Sequence, residues 1–140
     1  MSTSHALKIG FIGQGWIGKN YADDFSNRGY EVIRYALEEP YVQNKSKIAS
    51  CKIVFIAVPT PTTKDGFDIS YVVDALQSVG VGATAVIKST VTVGTTNELQ
   101  KRFPNLYVVH SPEFLAERTA AHDAAHPNRN LVGIPVESAE

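Results

Sequence analysis

The sequence has little cysteine, no long hydrophobic run and no leader-like start. Cys51 is the one cysteine among 140 residues, which excludes an internal disulfide and suits a reducing compartment. The longest apolar runs fall far short of the roughly 20 residues that a membrane-spanning helix needs. The first residues also lack the apolar region of a secretory signal peptide. We therefore expect a soluble cytoplasmic domain with no membrane partner.

An excess of charge of one sign is equally lacking. The 13 basic and 14 acidic residues give a net charge of -1, and neither sign gathers in a stripe or block. This balance argues against nucleic acid or an anionic membrane as the main partner, so any nucleotide bound here is expected to be a small molecule. A chain of this length suits one domain, which buries roughly two-thirds of the surface that its unfolded form exposes.

The stretch from Leu7 to Gly18 carries the strongest local signal in the sequence. An apolar, β-branched run that ends at Ile12 predicts a buried strand, and Gly13, Gly15 and Gly18 then spell G-x-G-x-x-G. In this motif the first glycine permits a tight turn, the second lets the backbone approach a pyrophosphate, and the third lets the helix pack close to the strand. The free N–H groups at the helix start face the anion. The stretch therefore predicts a phosphate cradle for a dinucleotide.

The rest of the chain alternates between strand-like and helix-like segments. Asp68 is placed to cap one helix, and Thr95 with Glu98 resembles a capping box at the start of the next. The alternation predicts an α/β fold, a Rossmann-type doubly wound parallel sheet of about six strands in a single domain, with its ligand at the carboxyl ends of the strands. The predicted strands are 7–12, 30–35, 52–58, 83–87, 106–109 and 131–134, and the predicted helices are 19–28, 68–79, 95–103 and 113–125, with a loop and short helix over 37–47.

Four further motifs follow the glycine motif GQGWIG in order along the chain. They are VPTP at 58–61, KSTVTVGTT at 88–96, SPEFLAERTA at 111–120 and HPNRNLVG at 126–133. With these motifs the chain resembles the amino-terminal NAD-binding domain of the UDP-glucose and GDP-mannose dehydrogenase family, over nearly its whole length. The resemblance implies a domain of a nucleotide-sugar 6-dehydrogenase such as UDP-glucose 6-dehydrogenase. Such enzymes oxidise the primary alcohol of a UDP- or GDP-sugar to the uronate in two NAD-dependent steps, through a thiohemiacetal on a catalytic cysteine.

The resemblance also implies roles for individual residues. Thr90 is expected to hold a catalytic water or the substrate oxygen, Glu113 to activate water for thioester hydrolysis, and Glu117 to line the cleft between cofactor and substrate. Hydrolysis needs a base within hydrogen-bond reach of water. If the segment is helical, the two glutamates lie four positions apart on one face. The expected cofactor-binding residues are Gly13, Gly15, Trp16, Ile17, Gly18, Val58, Pro59, Thr60 and Thr90.

Simpler roles remain open for the same polar residues. Thr90 follows a strand and can cap the next helix, Glu117 can belong to a solvated helix face, and Lys88 can either hold a phosphate or extend from the strand end into solvent. His122 and His126 belong to an H-D-x-x-H pattern. A metal site needs further ligands, so we interpret this pattern as an exposed helical turn and predict no metal.

Two departures from the family concern the cofactor. Ala36 stands where a dinucleotide fold usually has the carboxylate that binds the adenosine ribose. Glu38, Glu39 or the backbone alone can take over that contact, whereas Arg34 permits a 2′-phosphate and makes NADP a less favoured alternative to NAD. The connection between the second and third strands is also shorter than the long helical insertion that is usual in the family.

A third departure concerns catalysis. The sequence ends at Glu140, ahead of the family's central helix, its sugar-nucleotide domain and the catalytic cysteine and lysine, and Cys51 is interpreted as a core residue away from the cleft. We therefore expect these 140 residues alone to be inactive. The expected partners are a dinucleotide and, in the full enzyme, a nucleotide sugar, with a monomer or weak homo-oligomer as the assembly. The alternatives are a non-catalytic dinucleotide-binding or interaction module and, disfavoured by the missing second domain, a self-sufficient small dehydrogenase.

Overall fold

The computed structural model describes residues 7–136, which form a five-stranded parallel sheet with helices packed against it. The chain begins with β1 (Lys8–Ile12), α1 (Trp16–Asn27), β2 (Glu31–Tyr35) and a 3₁₀ helix (Tyr41–Ser50). It continues with β3 (Ile53–Ile56), the short strands β4 (Thr62–Thr63) and β5 (Gly66–Phe67), and α2 (Ser70–Gln77). The last elements are β6 (Thr84–Ile87), α3 (Thr95–Arg102), β7 (Tyr107–His110), a 3₁₀ turn (Glu117–Thr119) and α4 (Ala120–Ala125).

The order of the strands creates a crevice at one edge of the sheet. The order is β2-β1-β3-β6-β7 with all neighbours parallel, and β4 pairs with β5 in a separate antiparallel hairpin. The chain adds β2 on one side of β1 and then crosses to add β3 on the other side. At such a reversal the loops that leave the two strands diverge and open a ligand crevice at the carboxyl ends. The predicted Rossmann-type parallel fold is confirmed.

Apolar side chains cover both faces of the sheet. On the α1 face, the rings of Phe11 and Phe55 stack at 4.9 Å, and Phe25 of α1 packs against both at 5.8 and 5.3 Å. A larger aliphatic cluster fills the opposite face and includes Cys51, which is 2% exposed. Cys51 precedes β3, at the end of the strand away from the crevice, so its interpretation as a core residue is confirmed. The largest buried members of this cluster are Ile48, Val54, Ile56, Val72, Leu76, Ile87, Leu99 and Val108.

The carboxyl-terminal part of the fold departs from two predictions. The predicted strand over 131–134 is wrong, because Gly133 makes only an isolated antiparallel bridge with His110, which leaves five strands in the sheet over residues 7–136. The predicted helix over 113–125 is also wrong in its first half. Glu113 lies in a loop, where Oε1 of its side chain accepts the N–H groups of Phe114 and Leu115 at 2.7 Å each. Such bonds from a side chain to its own backbone compete with helix formation.

The caps of α2 and α3 differ in how they match the sequence. Oδ1 of Asp68 accepts the N–H of Ser70, the first residue of α2, at 2.9 Å, but the N-cap position is Ile69, so Asp68 bonds the helix start from one residue before the predicted cap position. The predicted capping box of α3 is wrong. Gly94, with φ of +92°, precedes this helix, and the hydroxyl of Thr95 bonds that of Thr92 at 3.0 Å. Glycine provides the left-handed turn here, so the helix starts without a side-chain cap.

Within residues 7–136, no helix has the length and apolar character that crossing a lipid bilayer requires. The prediction that the first residues carry no signal sequence concerns residues 1–6, which lie outside the described part of the chain.

Side-chain amides bond the open edges of both outer strands. At one edge, Nδ2 of Asn44 in the 3₁₀ helix donates to the carbonyl of Arg34 in β2 at 2.9 Å. At the other edge, Oε1 of Gln100 in α3 accepts the N–H of Val108 at 2.9 Å, and its Nε2 donates to the carbonyl of Leu106 at 2.8 Å. These bonds occupy backbone groups that an edge strand otherwise leaves unpaired.

The Gln100 contact generates a stability prediction. Gln100 is 7% exposed, so Gln100→Leu keeps its bulk but leaves the buried N–H of Val108 unpaired. We expect the free energy of unfolding to fall by about 2 to 4 kcal/mol in chemical denaturation. Gln77→Leu, at an exposed position of α2, serves as the control and should change it by no more than about 0.5 kcal/mol. Equal effects of the two substitutions would show that Gln100 does not hold α3 to β7.

Candidate functional site

A cavity of about 490 Å³ lies in the crevice between β1 and β3, and we name it the glycine-loop cavity. Its walls come from the loop after β1, the ends of β2 and β3, the 3₁₀ helix and α2. Most of the lining is apolar, as is usual for a cofactor pocket in which a few polar groups fix the orientation of the ligand. The lining residues used below are Gly13, Gly15, Trp16, Ile17, Ala36, Glu38, Lys45, Val58, Pro59 and Asp74.

The three glycines of the motif occupy different environments. Gly13 has φ of +94°, and a Cβ built there would collide with the backbone carbonyl of Ala57 after β3. A Cβ at Gly18 would collide with the carbonyl of Gly13, so these two glycines allow β1, β3 and α1 to approach each other closely. A Cβ at Gly15 would meet no atom within 4 Å. Gly15 is therefore the glycine whose missing side chain leaves room for a ligand.

The start of α1 supplies the groups that an anion needs. The N-cap of α1 is Gly15, which has no side chain to bond the first N–H groups of the helix. The first turn also contains no acidic residue. The first N–H groups of a helix have no partner within the helix and carry its positive dipole end. Trp16 and Ile17, in this first turn, line the cavity. The loop and the helix start thus fit the pyrophosphate of a dinucleotide, and this fit depends on the backbone alone.

The chain just after β2 contributes one acidic residue to the cavity. Ala36 is buried, and Glu38 lines the cavity two positions later, as does Asp74 of α2. Glu39 instead accepts a hydrogen bond from Gln43 at 3.2 Å. Arg34 forms a 2.7 Å ion pair with Asp23 of α1 and is not one of the residues that line the cavity. Lys45 of the 3₁₀ helix also lines it, a position to which the sequence had assigned no role.

The loops after β3 and β6 are joined by two hydrogen bonds. The hydroxyl of Thr60 donates to the carbonyl of Thr90 at 2.7 Å, and the hydroxyl of Ser89 donates to the carbonyl of Val58 at 2.7 Å. Val58 and Pro59 line the glycine-loop cavity, whereas Thr60 and Thr90 are not among its lining residues. Because the two threonines follow neighbouring strands, they lie at the same carboxyl edge, where their expected roles remain predictions.

A second cavity, of about 410 Å³, lies near the end of β7, and we name it the Glu113 cavity. Its lining is mainly polar, unlike that of the first cavity. Tyr21 of α1 contributes to it one helical turn after Ile17, so α1 lines both cavities with successive turns. The other lining residues are Lys88, Pro112, Glu113, Phe114, Leu115, Asp123, His126, Pro127, Asn128, Arg129 and Asn130.

A buried ion pair forms the centre of this cavity. Nζ of Lys88 lies 3.4 Å from Oε2 of Glu113, and the two side chains are 6% and 10% exposed. Lys88 also donates to the hydroxyl of Ser111 at 3.3 Å and lies 4.7 Å from the ring centre of Tyr21. Burial lowers the pKa of the Lys88 ammonium, and the Glu113 carboxylate offsets part of that shift. Of the sequence-predicted catalytic residues, Glu113 is the one that this cavity contains.

Glu117 and the histidine pair lie apart from this ion pair. Glu117 is exposed on its 3₁₀ turn and does not line the Glu113 cavity, so the helix face predicted to hold both glutamates does not form. The rings of His122 and His126 stack at 4.8 Å, and the hydroxyl of Thr119 donates to Asp123 at 2.7 Å. In residues 7–136, no three side chains of His, Cys, Asp or Glu are grouped as metal binding requires.

Comparisons with known proteins agree on one family. The family model described as UDP-glucose/GDP-mannose dehydrogenase family, NAD binding domain, matches residues 39–140. The chain is 38% identical over 172 aligned positions to the UDP-glucose 6-dehydrogenase of Rhizobium meliloti (strain 1021), covering 91% of this chain and 39% of that protein. It is 29% identical over 132 positions to the UDP-glucose 6-dehydrogenase of Campylobacter jejuni subsp. jejuni serotype O:2, covering 84% of this chain and 34% of that protein.

The solved structures extend the match to the glycine motif. A UDP-glucose dehydrogenase from the hyperthermophilic archaeon Pyrobaculum islandicum superposes with a TM-score of 0.81 at 26% identity, covering 99% of this chain and 43% of that one. The chain therefore spans about two fifths of the length of such relatives. The Rhizobium alignment has more positions than this chain has residues, so the relative carries segments without a counterpart here. The chain belongs to the UDP-glucose/GDP-mannose dehydrogenase family of NAD-dependent nucleotide-sugar dehydrogenases, and it is the NAD-binding domain of that family.

Proposed function

We propose that this domain holds NAD for a 6-dehydrogenase that oxidises the primary alcohol of a UDP- or GDP-sugar to the uronate. The observation that carries the proposal is the position of Glu113. Its buried carboxylate opens on a polar cavity at the same sheet edge as the glycine cradle, with α1 lining both cavities. The relatives' names, which include UDP-glucose 6-dehydrogenase, support the substrate class.

The residues that would hold the cofactor follow from the first cavity. The N–H groups at the start of α1 would bind the pyrophosphate at Gly15, and Glu38 would accept hydrogen bonds from the adenosine ribose. Val58 and Pro59 supply apolar contacts at the end of β3. When bound, NAD accepts a hydride from the carbon that is oxidised.

The second cavity supplies the acid–base groups. Glu113 is proposed as the base that takes a proton from water during hydrolysis of the thioester, and Nζ of Lys88 lies 3.4 Å from its carboxylate. Thr90, at the end of β6, is proposed to hold the water or the substrate oxygen. Glu117, which is exposed, is proposed to reach the cleft only from its rim.

Catalysis is proposed to need groups that these 140 residues do not supply. The only cysteine of the chain, Cys51, is buried in the aliphatic cluster at the opposite end of β3 and has no access to either cavity. We therefore propose that the chain alone binds NAD without completing the oxidation. Its proposed partners are NAD and, in the complete enzyme, a nucleotide sugar, and its self-association is proposed to be weak, as the resemblance implies.

Gly15→Val tests the cradle. The φ of Gly15 is -68° and a Cβ there meets no atom within 4 Å, so valine should cost about 1 kcal/mol of stability through the weaker N-cap. Its side chain fills the space for the pyrophosphate, so we expect at least a 100-fold loss of NAD affinity in calorimetric titration. Gly13→Ala should instead destabilise the fold, because it clashes with the backbone of Ala57. Unchanged NAD affinity in Gly15→Val would remove the cradle assignment.

Glu38→Gln tests the ribose contact. The loss of a charged acceptor should lower the affinity for NAD about 10-fold. It should also reduce the ratio of NAD to NADP affinity, because the carboxylate repels the 2′-phosphate of NADP. Glu39→Gln is the matched control, because the neighbouring carboxylate bonds Gln43 and should leave NAD affinity unchanged. The assignment of the ribose contact to Glu38 would be wrong if Glu39→Gln bound NAD more weakly than Glu38→Gln, or if the unmodified chain preferred NADP.

Glu113→Gln tests the catalytic role. In the dehydrogenase that carries this domain, we expect turnover to fall at least about 100-fold, the usual contribution of a general base, with NAD affinity unchanged. Equal turnover in the two forms would exclude the role. NAD binding without any turnover of nucleotide sugars in the unsubstituted enzyme would favour the non-catalytic alternative.

A further inference from the structure

Tyr21 connects α1 to the Glu113 cavity, although the motifs that carry the family resemblance do not include it. It lies on α1 one turn after Ile17, and its side chain lines the Glu113 cavity. Its hydroxyl donates a hydrogen bond to Oε1 of Glu113 at 3.2 Å, across 92 positions of sequence. The same ring lies against Nζ of Lys88 at 4.7 Å. Tyr21 thus contacts both members of the buried ion pair.

The two oxygens of Glu113 are not equivalent. Oε1 accepts the N–H groups of Phe114 and Leu115 at 2.7 Å each, in addition to the hydroxyl of Tyr21. Oε2 is buried, has no hydrogen bond and lies 3.4 Å from Nζ of Lys88. Since an oxygen with three donors has no lone pair to spare, Oε2 is the oxygen of Glu113 that can still accept a hydrogen bond.

The support for this arrangement comes from α1. Glu113 lies in a loop between β7 and the 3₁₀ turn, so no regular element fixes its side chain. Tyr21 lies in a twelve-residue helix that the glycine motif holds close to the sheet. A group on a rigid element can hold a loop residue within the narrow range of positions that catalysis needs.

We infer that Tyr21 is a positioning residue that holds the Glu113 carboxylate with Oε1 occupied and Oε2 facing Lys88. The inference rests on the proposed role of Glu113 as the base, but the geometry itself can be measured without turnover. Burial and the neighbouring Glu113 raise the pKa of the Tyr21 phenol above its usual value, so the hydroxyl stays a donor at physiological pH.

The first test uses the 140-residue chain and the pair Tyr21→Phe and Tyr30→Phe. Both remove one hydroxyl and keep a ring that packs against a cation, Lys88 in the first case and Arg28 in the second. Tyr21→Phe should raise amide hydrogen exchange at Phe114 and Leu115 by about 10-fold, the effect of one hydrogen bond to a charged group. NAD affinity should stay unchanged, and Tyr30→Phe should alter neither the exchange at these two amides nor the NAD affinity. Unchanged exchange, or exchange raised throughout the domain, would overturn the inference.

Ultraviolet titration gives an independent readout of the contact. Glu113→Gln should lower the pKa of the Tyr21 phenol, because the carboxylate no longer adds to the rise that burial causes. This shift should be absent when Tyr21→Phe is added. A phenol titration curve that Glu113→Gln leaves unchanged would show that the hydroxyl of Tyr21 does not contact the carboxylate.

The effect of Tyr21 on catalysis can be tested separately from the proposed role of Glu113 as the base. In the dehydrogenase that carries this domain, Tyr21→Phe should lower kcat about 10-fold at unchanged KM for NAD, and Tyr30→Phe should not. If Glu113→Gln leaves turnover intact, the proposed function fails while the exchange result still decides the contact. If Glu113→Gln stops turnover and Tyr21→Phe leaves kcat unchanged, the positioning role is wrong.

Discussion

The close approach of three backbone segments at Gly13 and Gly18 is the constraint on which the rest of this structure depends. Neither position has room for a Cβ, because the carbonyls of Ala57 and Gly13 occupy that space. This contact fixes where α1 begins and how it lies on the sheet. Its first turn then presents free N–H groups to one cavity, and its second turn presents Tyr21 to the other. The glycine-loop cavity and the Glu113 cavity therefore depend on the same backbone packing.

Burying the ion pair of Lys88 and Glu113 costs free energy of desolvation, and the groups around the pair offset part of this cost. Removing two charges from water costs several kcal/mol for each ion, and the attraction between the two charges rarely offsets this whole cost. Here three donors on Oε1 of Glu113, the hydroxyl of Ser111 and the ring of Tyr21 replace part of the lost hydration. A pair of apolar side chains would fill the space at a lower free-energy cost, so stability does not explain the ion pair, which agrees with the catalytic role proposed for Glu113.

The sequence was sufficient for the five strands that form the parallel sheet and for the loop that carries Gly13 and Gly15, because these depend on local signals such as apolar runs and glycine spacing, but it wrongly added a sixth strand at 131–134. It was insufficient where a side chain bonds the backbone or a distant element. Glu113 interrupts the helix predicted after β7 by bonding its own loop, and the partners Tyr21 and Lys88 are recognisable only in three dimensions.

The hairpin of β4 and β5 was missed although its Asp65-Gly66 pair is a recognised turn signal, with φ of +110° at the glycine.

The short connection between β2 and β3 has a role in the cofactor site. Its 3₁₀ helix buries Ile48 in the core, bonds the edge of β2 through Asn44, and brings Lys45 into the lining of the glycine-loop cavity. Arg34 is paired with Asp23, and the charged residues that line the cavity are Lys45, Glu38 and Asp74. A dianionic 2′-phosphate would therefore meet one cation and two carboxylates, whereas a neutral ribose diol can donate to a carboxylate at no electrostatic cost. The local charge balance thus favours NAD even though the usual carboxylate position holds Ala36.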